Sequence, residues 1–318
     1  MEHIASRRNT WFALSAALLI PCILALIIHG LNFGIDFTGG SAWEIRYTDS
    51  VDTEKIVAVF ADNGLPNARV QQVGDASEHR YLIRTEEIRE GSEEKKKITD
   101  ALGTLGTLVP EDESLSTVGA SVGTSIRNRS VLAVAAASVG ILLYIAFAFR
   151  NTQRPFLYGI AAIIAMLHDA LIVLGVFSIL GWLFDVEVDA LFITALLTII
   201  GFSVHDTIVV FDRIRENLAN RVASSFEEIV NYSIAQTLVR SVNTSLTVLI
   251  TLAALYLFGG SSTKNFVLAL LIGVVAGTYS SIFNASQILV AWETHEIQNA
   301  FNRIFRRKQS PSATTRAA

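Results

Sequence analysis

Long apolar runs constrain this chain more than any other feature of its sequence. A run of about 20 apolar residues is long enough to cross the ~30 Å hydrocarbon core of a bilayer as one helix, and the 318-residue sequence contains several such runs. Charged residues make up only 17% of the chain, against roughly 25% in soluble domains. The sequence therefore predicts an α-helical polytopic membrane protein with six transmembrane helices. The predicted spans are 11–29, 130–150, 156–182, 189–212, 235–258 and 266–292.

The segments between the runs sort by positive charge, which predicts the orientation of the chain. Arginines cluster before the first run, between the second and third, after the fourth and after the sixth, whereas residues 184–189 contain no base and residues 259–265 contain only Lys264. Short loops rich in Lys and Arg stay in the cytoplasm. We therefore expect a cytoplasmic N-terminus at 1–10, a cytoplasmic loop at 213–234 and a cytoplasmic tail at 293–318. Residues 30–129 would then lie outside.

Residues 30–129 differ in composition from the rest of the chain and form one small predicted domain. This region holds most of the acids and four of the six lysines and has no spanning run. Alternating patterns predict strands at 41–47, 68–74, 79–85 and 115–122, and helical spacing predicts helices at 51–63 and 93–105, with Asp52 as an N-cap. The order βαββαβ indicates an α+β ferredoxin-like domain with helices on one face of the sheet.

Asp206 is an acid inside the fourth apolar run, about five residues from its cytoplasmic end. A carboxyl group in hydrocarbon is costly and is commonly functional. Two interpretations stand beside each other: a structural acid paired permanently with a base, or a carboxyl that gains and loses a proton during transport. Its immediate neighbour His205 points roughly 100° away around a helix, so the sequence does not assign it as a relay partner.

Arg240 is the cation that the sequence places at a matching depth, near the cytoplasmic start of the fifth predicted helix. The fourth and fifth helices are antiparallel, so the two charges can meet. The alternative is that Arg240 extends to the lipid headgroups. Asn243 and Thr244 continue a polar stripe inward from Arg240, which favours a wet interior path over a lipid-facing surface.

His168 and Asp169 lie near the middle of the third apolar run. Ionisable pairs at this depth are candidates for a functional polar network, and they are equally consistent with static hydrogen bonds between helices. In the sixth run, Gly273 and Gly277 form a GxxxG pattern that predicts close helix packing.

The segment GIDFTGG follows the first run and contains Gly34, Asp36, Gly39 and Gly40. Its glycines permit tight turns where a helix passes into a sheet domain, so we assign it as a hinge. The sequence has no GxxxxGK[ST] loop, no Cys and His array and no nucleophile elbow. It therefore predicts no nucleotide hydrolysis, no metal site, no cofactor and no enzymatic activity.

GIDFTGG, LHD at 167–169, IGFSVHDTIVVFDRIREN and QTLVRSVNTSL together resemble the SecF family of bacterial protein-export membrane proteins, in the resistance-nodulation-division (RND) superfamily. The resemblance extends from about Trp11 to Arg307. It implies half of an RND-type bundle in the bacterial inner membrane, with a periplasmic domain between the first two helices. It also implies pairing with SecD and association with the SecYEG channel and the motor SecA, with YajC as a further candidate partner. Contact with unfolded preprotein and with lipid is implied as well, but not contact with nucleic acid. The family's proton-path aspartate and arginine fall on Asp206 and Arg240.

The resulting hypothesis is a helper of protein export in which protons transiently neutralise Asp206, and the helix movement passes through the GIDFTGG hinge to the external domain. A rival is a proton-coupled RND-type exporter of lipids or small molecules, although such exporters usually carry both six-helix halves in one chain. A passive scaffold is a third possibility. The residues alone also leave sodium open as the coupling ion, since a carboxylate with nearby hydroxyls binds either ion.

Overall fold

The computed structural model describes residues 4–150, 152, 155–260 and 263–294, and the tail predicted at 293–318 lies outside them from residue 295 onward. Its long helices are α1 (Arg8–Ile28), α5 (Ala120–Ala148), α6 (Pro155–Phe184), α7 (Ala190–Ala219), α8 (Phe226–Phe258) and α9 (Lys264–Ser280). A π-helical turn at Ser281–Ala285 joins α9 to α10 (Ser286–Glu293), so these three elements run as one rod. Within these described ranges, six helical segments are long and apolar enough to span a membrane. The predicted multi-pass architecture is confirmed.

The region between α1 and α5 forms the expected βαββαβ domain, which we call the external domain because it lies outside the helix bundle. Its strands are β1 (Gly40–Arg46), β2 (Arg69–Val73), β3 (Arg80–Thr85) and β4 (Ser114–Val118). The helices are a short α2 (Ile35–Thr38), α3 (Thr53–Asp62) and α4 (Glu93–Gly103). The strands pair antiparallel in the order β2-β3-β1-β4, which is the ferredoxin-like arrangement.

The core of this domain follows from the alternation of side chains along β1. Every second residue of the strand is buried, and Trp43 packs edge-on against Phe60 of α3 with their ring centroids 6.0 Å apart. Ile98 of α4 belongs to the same apolar cluster. The predicted N-cap is also confirmed, because the Asp52 side chain accepts a hydrogen bond from the amide of Glu54.

The membrane bundle has three inner helices and three outer ones. Half or more of the most apolar part of α6, α7 and α9–α10 is buried, whereas α1, α5 and α8 are buried over only a small part. The GxxxG prediction for α9 is confirmed: a Cβ atom at Gly273 would collide with the side chain of Ile199 on α7, and one at Gly277 would lie 3.1 Å from Ser203 Cβ. Gly175 of α6 similarly admits the backbone of Cys22 on α1.

The boundary between the last strand and the second long helix differs from the prediction. The predicted strand at 115–122 is too long, since β4 ends at Val118 and α5 begins at Ala120. A Cβ atom at Gly39 would lie only 2.7 Å from the Cα of Ala120, so the hinge segment packs directly on the start of α5. Residues 120–129 are therefore a helical extension of the second predicted span, which sequence hydropathy alone could not detect because they are polar.

Candidate functional site in the membrane bundle

Asp206 of α7 is buried, with 3% of its surface exposed. Its Oδ2 atom has no hydrogen-bond partner among the described residues. A basic side chain lies close by: His205, the neighbouring residue, has its Nδ1 3.7 Å from Asp206 Oδ1. His205 is itself 65% exposed, so the pair connects a buried carboxyl with the outer surface of the bundle. The two side chains lie on different sides of α7, as the helical spacing predicts, since His205 is exposed and Asp206 is buried.

Arg240 does not form the predicted ion pair with Asp206. Its side chain is on the exposed side of α8, and within the described part of the chain no carboxylate oxygen lies within 4.0 Å of its guanidinium. Its charge nevertheless interacts electrostatically with Asp206. The helices α7 and α8 pack against each other, but Arg240 lies on the side of α8 that faces away from the rest of this chain.

The predicted network of His168, Asp169, Asn243 and Thr244 separates into two places. Asn243 and Thr244 share the exposed side of α8 with Arg240, so within this chain they do not contact His168 or Asp169. Serines form the inner side of α8 instead, and Ser245 Oγ lies 2.6 Å from Thr278 Oγ1 of α9. A residue's depth is visible in the sequence, but the rotation of its helix depends on which neighbours it packs against.

His168 and Asp169 lie at the centre of the bundle, 6% and 1% exposed. His168 Nδ1 is 2.9 Å from Asp169 Oδ1, and Asp169 Oδ2 accepts hydrogen bonds from Ser203 Oγ of α7 at 2.5 Å and from Ser280 Oγ of α9 at 2.6 Å. Sequence reasoning did not connect the serines with Asp169. The signal was the run of small polar residues that continues the GxxxG face of α9.

A second set of hydroxyl groups adjoins this carboxylate. Ser281 Oγ donates to the backbone carbonyl of Ser203 at 3.0 Å, and it lies 2.9 Å from Thr207 Oγ1. Ser203, Thr207 and Ser281 are all buried. The polar groups therefore join α6, α7 and the π-helical turn after α9 on the inner side of α7, opposite His205.

The outer end of α7 is attached to the hinge segment GIDFTGG. Asp36 Oδ2 accepts a hydrogen bond from the backbone amide of Ala190, the first residue of α7, at 2.9 Å. Gly34 N donates to the carbonyl of Val188 at 2.9 Å, and Val188 N donates to the carbonyl of Asn32 at 2.8 Å. A carboxylate at a helix N-terminus also interacts favourably with the helix dipole. The GIDFTGG segment thus holds the end of the helix that carries Asp206.

The sheet of the external domain is attached to the same loop, residues 185–189. Arg84 of β3 forms an ion pair with Glu187, and Gln71 of β2 donates to the carbonyl of Phe184 at 3.1 Å. Burial raises the pKa of Glu187, and the neighbouring charge of Arg84 opposes this rise. We call the contacts of Asp36, Arg84 and Glu187 the outer joint.

Gly39 and Gly40 let the GIDFTGG segment turn into β1, because the chain adopts positive φ angles of 76° and 111° there. At Gly40, a Cβ atom would lie 2.5 Å from the carbonyl oxygen of Thr85 on the paired strand. Only glycine combines this backbone conformation with such a close approach.

The fold and the site together define a multi-pass membrane protein in which buried carboxylates on inner helices connect to an external ferredoxin-like domain. Residues 97–295 match the model of the family described as "Protein export membrane protein SecD/SecF, C-terminal", and residues 24–51 match the "SecD/SecF GG Motif". The chain belongs to the SecD/SecF family of protein export membrane proteins.

Similar proteins include a protein translocase subunit SecF from Thermobaculum terrenum, 53% identical over 99% of this chain and 100% of that protein. The protein translocase subunit SecDF of Bacillus subtilis is 36% identical over 92% of this chain and 38% of its own length. A crystal structure of SecDF, a translocon-associated membrane protein from Thermus thermophilus, has a TM-score of 0.78 and 35% identity, covering 91% of this chain and 38% of that one. This chain therefore corresponds to a little over a third of the SecDF proteins.

Proposed function

We propose that this chain acts with SecD as a subunit of the protein-export machinery and uses the proton motive force to assist preprotein translocation through SecYEG after the SecA-driven step. It would lie in the bacterial inner membrane, with both termini in the cytoplasm and residues 30–129 in the periplasm. SecDF proteins that contain a segment similar to this chain within a longer polypeptide support the pairing with SecD.

The observation that carries the proposal is the environment of Asp206. One oxygen of this buried carboxyl lacks a partner among the described residues, and the nearby bases His205 and Arg240 lie on the outward-facing side. An ionised carboxylate in this position is costly without a close cation. Protonation removes the cost, so the balance between two helix arrangements depends on whether Asp206 carries a proton.

The exposed side of α7 and α8, which faces away from the rest of this chain, supports the presence of a partner protein within the membrane. His205, Arg240, Asn243 and Thr244 are exposed there, although polar and charged side chains within a bilayer normally face a bundle interior or a water-filled cavity. A second helical bundle against this side would enclose these groups and create a wet path to Asp206. SecD is the partner that the family relationship suggests.

The outer joint provides a route from Asp206 to the external domain. The helix that carries Asp206 begins at Ala190, and the Ala190 amide is bonded to Asp36. The preceding residues are bonded to β2 and β3 through Gln71 and Arg84. A displacement of α7 along or about its axis would therefore move the sheet domain, which would hold or release preprotein. The membrane potential supplies about 2.3 kcal/mol per charge for each 100 mV, so a modest bias between two packings is sufficient.

The test is preprotein export in inverted membrane vesicles that contain the complete translocase, with export followed after the ATP-driven step. We expect Asp206→Asn to abolish the acceleration by a proton gradient while the complex still assembles. Asp212→Asn is the matched control, because Asp212 is on the same helix but is exposed and paired with Arg215 at 2.5 Å. Export at the normal gradient-driven rate with Asp206→Asn would refute the motor and favour a scaffold.

A second arm of this experiment replaces the proton gradient with a sodium gradient of equal size. Acceleration by protons alone supports the proposal for Asp206. Acceleration by sodium alone would contradict proton coupling while leaving the export function intact.

A further inference from the structure

A groove on the surface of the helix bundle lies between α5, α6 and the start of α7. Its volume is about 490 Å³, which is within the usual range for ligand pockets, about 300–1,000 Å³. We call it the α5 groove. Most of its lining is apolar and comes from several elements: Leu31, Phe37, Val134, Leu174, Val188 and Phe192. Among the described residues, Arg127 and Ser130 are the only polar side chains in this lining.

The two polar residues lie at the end of the α5 groove that is nearer the external domain. The lining positions on α5 are 127, 130, 131, 134 and 135, which share one face of a helix. Arg127 precedes the apolar run that begins at residue 131, and Ala135 is about 12 Å further along the helix axis. One leaflet contributes about 15 Å of a ~30 Å hydrocarbon core. The α5 groove therefore extends from headgroup depth through most of one leaflet.

Arg127 has no oppositely charged partner within the described part of the chain. No carboxylate there is within ion-pair distance of its guanidinium group, and no acidic residue lines the α5 groove. A guanidinium group presents N–H donors in a planar fork that matches a phosphate group. Ser130 lies on the same helix face and adds a hydroxyl donor. Because no carboxylate is present to receive an ammonium group, the α5 groove favours a phosphate whose headgroup carries no positive charge.

A second apolar groove shows why the position of this charge matters. It lies between α8 and α9, and its lining contains no charged residue, so nothing in it distinguishes one apolar occupant from another. The α5 groove also shares no residue with the exposed side of α7 and α8 that carries His205 and Arg240. A partner protein bound on that side therefore does not need to fill the α5 groove.

We propose that the α5 groove binds one anionic phospholipid, with an acyl chain among the apolar side chains and the phosphate on Arg127 and Ser130. The lipid belongs to the leaflet nearer the external domain. Phe37 of the GIDFTGG segment and Val188, two residues before α7, line the same groove. The bound lipid would therefore contact both segments that meet at the outer joint. This binding site does not depend on the proposed function in protein export.

The first experiment measures which lipids the full-length chain retains. The protein is reconstituted in vesicles of equal parts phosphatidylglycerol and phosphatidylcholine, extracted in mild detergent and analysed by native mass spectrometry. We expect the wild type to retain one phosphatidylglycerol. Arg127→Gln should weaken this retention roughly tenfold, because it removes hydrogen bonds to a charged group. Arg129→Gln is the matched control, since Arg129 is also exposed on α5 but does not line the α5 groove.

A second pair of variants tests the position of the acyl chain without changing any charge. Ala135→Trp places a large side chain inside the α5 groove, whereas Ala136→Trp places it at an exposed neighbouring position outside the lining. We expect only Ala135→Trp to prevent the retention of phosphatidylglycerol. Melting temperatures without added lipid show whether both variants fold. If Ala135→Trp does not fold, the comparison of Arg127→Gln with Arg129→Gln decides the question.

Three results would overturn the proposal. The first is equal retention of phosphatidylglycerol by Arg127→Gln and Arg129→Gln, or equal retention of the two lipids by the wild type. The second is a saturable rise in melting temperature with inorganic phosphate alone, which would assign Arg127 to a free anion. The third is a wild-type complex with SecD that retains no phosphatidylglycerol, which would assign the α5 groove to a helix of that partner.

Discussion

Replacing Arg84 with glutamine should open the outer joint, whereas replacing its partner Glu187 with glutamine should leave the joint closed. The two side chains form an ion pair in which Arg84 is 18% and Glu187 17% exposed. Burial is the largest influence on the pKa of Glu187 and raises it despite the attraction of Arg84. The buried negative charge is therefore a net cost that Arg84 only partly offsets.

The free-energy cost of each substitution depends on which of the two charges remains buried. Removing one partner of a fully buried pair costs about 3–5 kcal/mol, because the other charge stays buried without compensation. The partial exposure of this pair and the remaining attraction of Arg69 to Glu187 reduce that value, so we expect about 2 kcal/mol for Arg84→Gln. Glu187→Gln removes the costly charge itself and should change the closing free energy by less than about 1 kcal/mol.

The same reasoning fixes the sign of the pH dependence. A carboxyl whose pKa is raised in the closed joint binds its proton more tightly there than in an open loop, where the ordinary value is 4.5. Its contribution to closing is complete below pH 4.5 and is lost as the pH rises through the raised pKa. Burial also raises the pKa of Asp189, so Glu187→Gln should reduce this dependence and leave the part due to Asp189.

Hydrogen exchange of residues 184–190 and of β3 in the full chain measures opening of the joint. We expect a cost of 2 kcal/mol to speed exchange in Arg84→Gln by about 30-fold, with protection in the wild type greater at pH 5 than at pH 8 after correction for intrinsic rates. Arg89→Gln is the control, since Arg89 is 82% exposed and pairs with Glu87 nearby in sequence. Equal loosening by Arg84→Gln and Glu187→Gln would refute the reasoning.

Three further substitutions test the packing that surrounds the site. Gly40→Ala should destabilise the external domain by more than Gly64→Ala. Both glycines have a positive φ angle, which costs an alanine about 1–2 kcal/mol, but only at Gly40 would the added Cβ atom also meet a carbonyl oxygen. Hydrogen exchange of the β1 amides in the two variants measures the difference. Gly175→Ala should destabilise the protein by about 1–3 kcal/mol, because the added methyl group would separate α1 from α6. Gly140 has open space around it, so Gly140→Ala should stabilise α5 by up to about 1 kcal/mol. Melting temperatures of the two variants in detergent should therefore change in opposite directions. Asp36→Ala removes the acceptor of the Ala190 amide and should cost about 1 kcal/mol at the start of α7. The cost should be seen as faster exchange of the Ala190 amide. Unchanged exchange would show that the contact is not formed in solution.

The elements of this protein are encoded locally, which is why its sequence predicts them well. Hydrocarbon admits only segments that satisfy their own backbone hydrogen bonds, so an apolar run of sufficient length has few alternatives to a helix. The alternation around Trp43 and the Asp52 cap similarly specify strand and helix in the external domain. Local information was not sufficient at residues 120–129, because these residues are polar and hydropathy does not predict that α5 begins there.

Contacts between elements depended on helix rotation and were predicted less well. The sequence by itself determined the long apolar helices, the ferredoxin-like domain and the placement of Asp206 and Asp169 inside two of those helices. Only the tertiary structure decided that Arg240 faces outward, that His205 approaches Asp206, that Ser280 reaches Asp169 and that Asp36 binds the start of α7. The physical reason is that periodicity and hydropathy fix how deep a side chain lies, whereas its direction around the helix axis is fixed by the close approach of neighbours, as at Gly175 and Gly273.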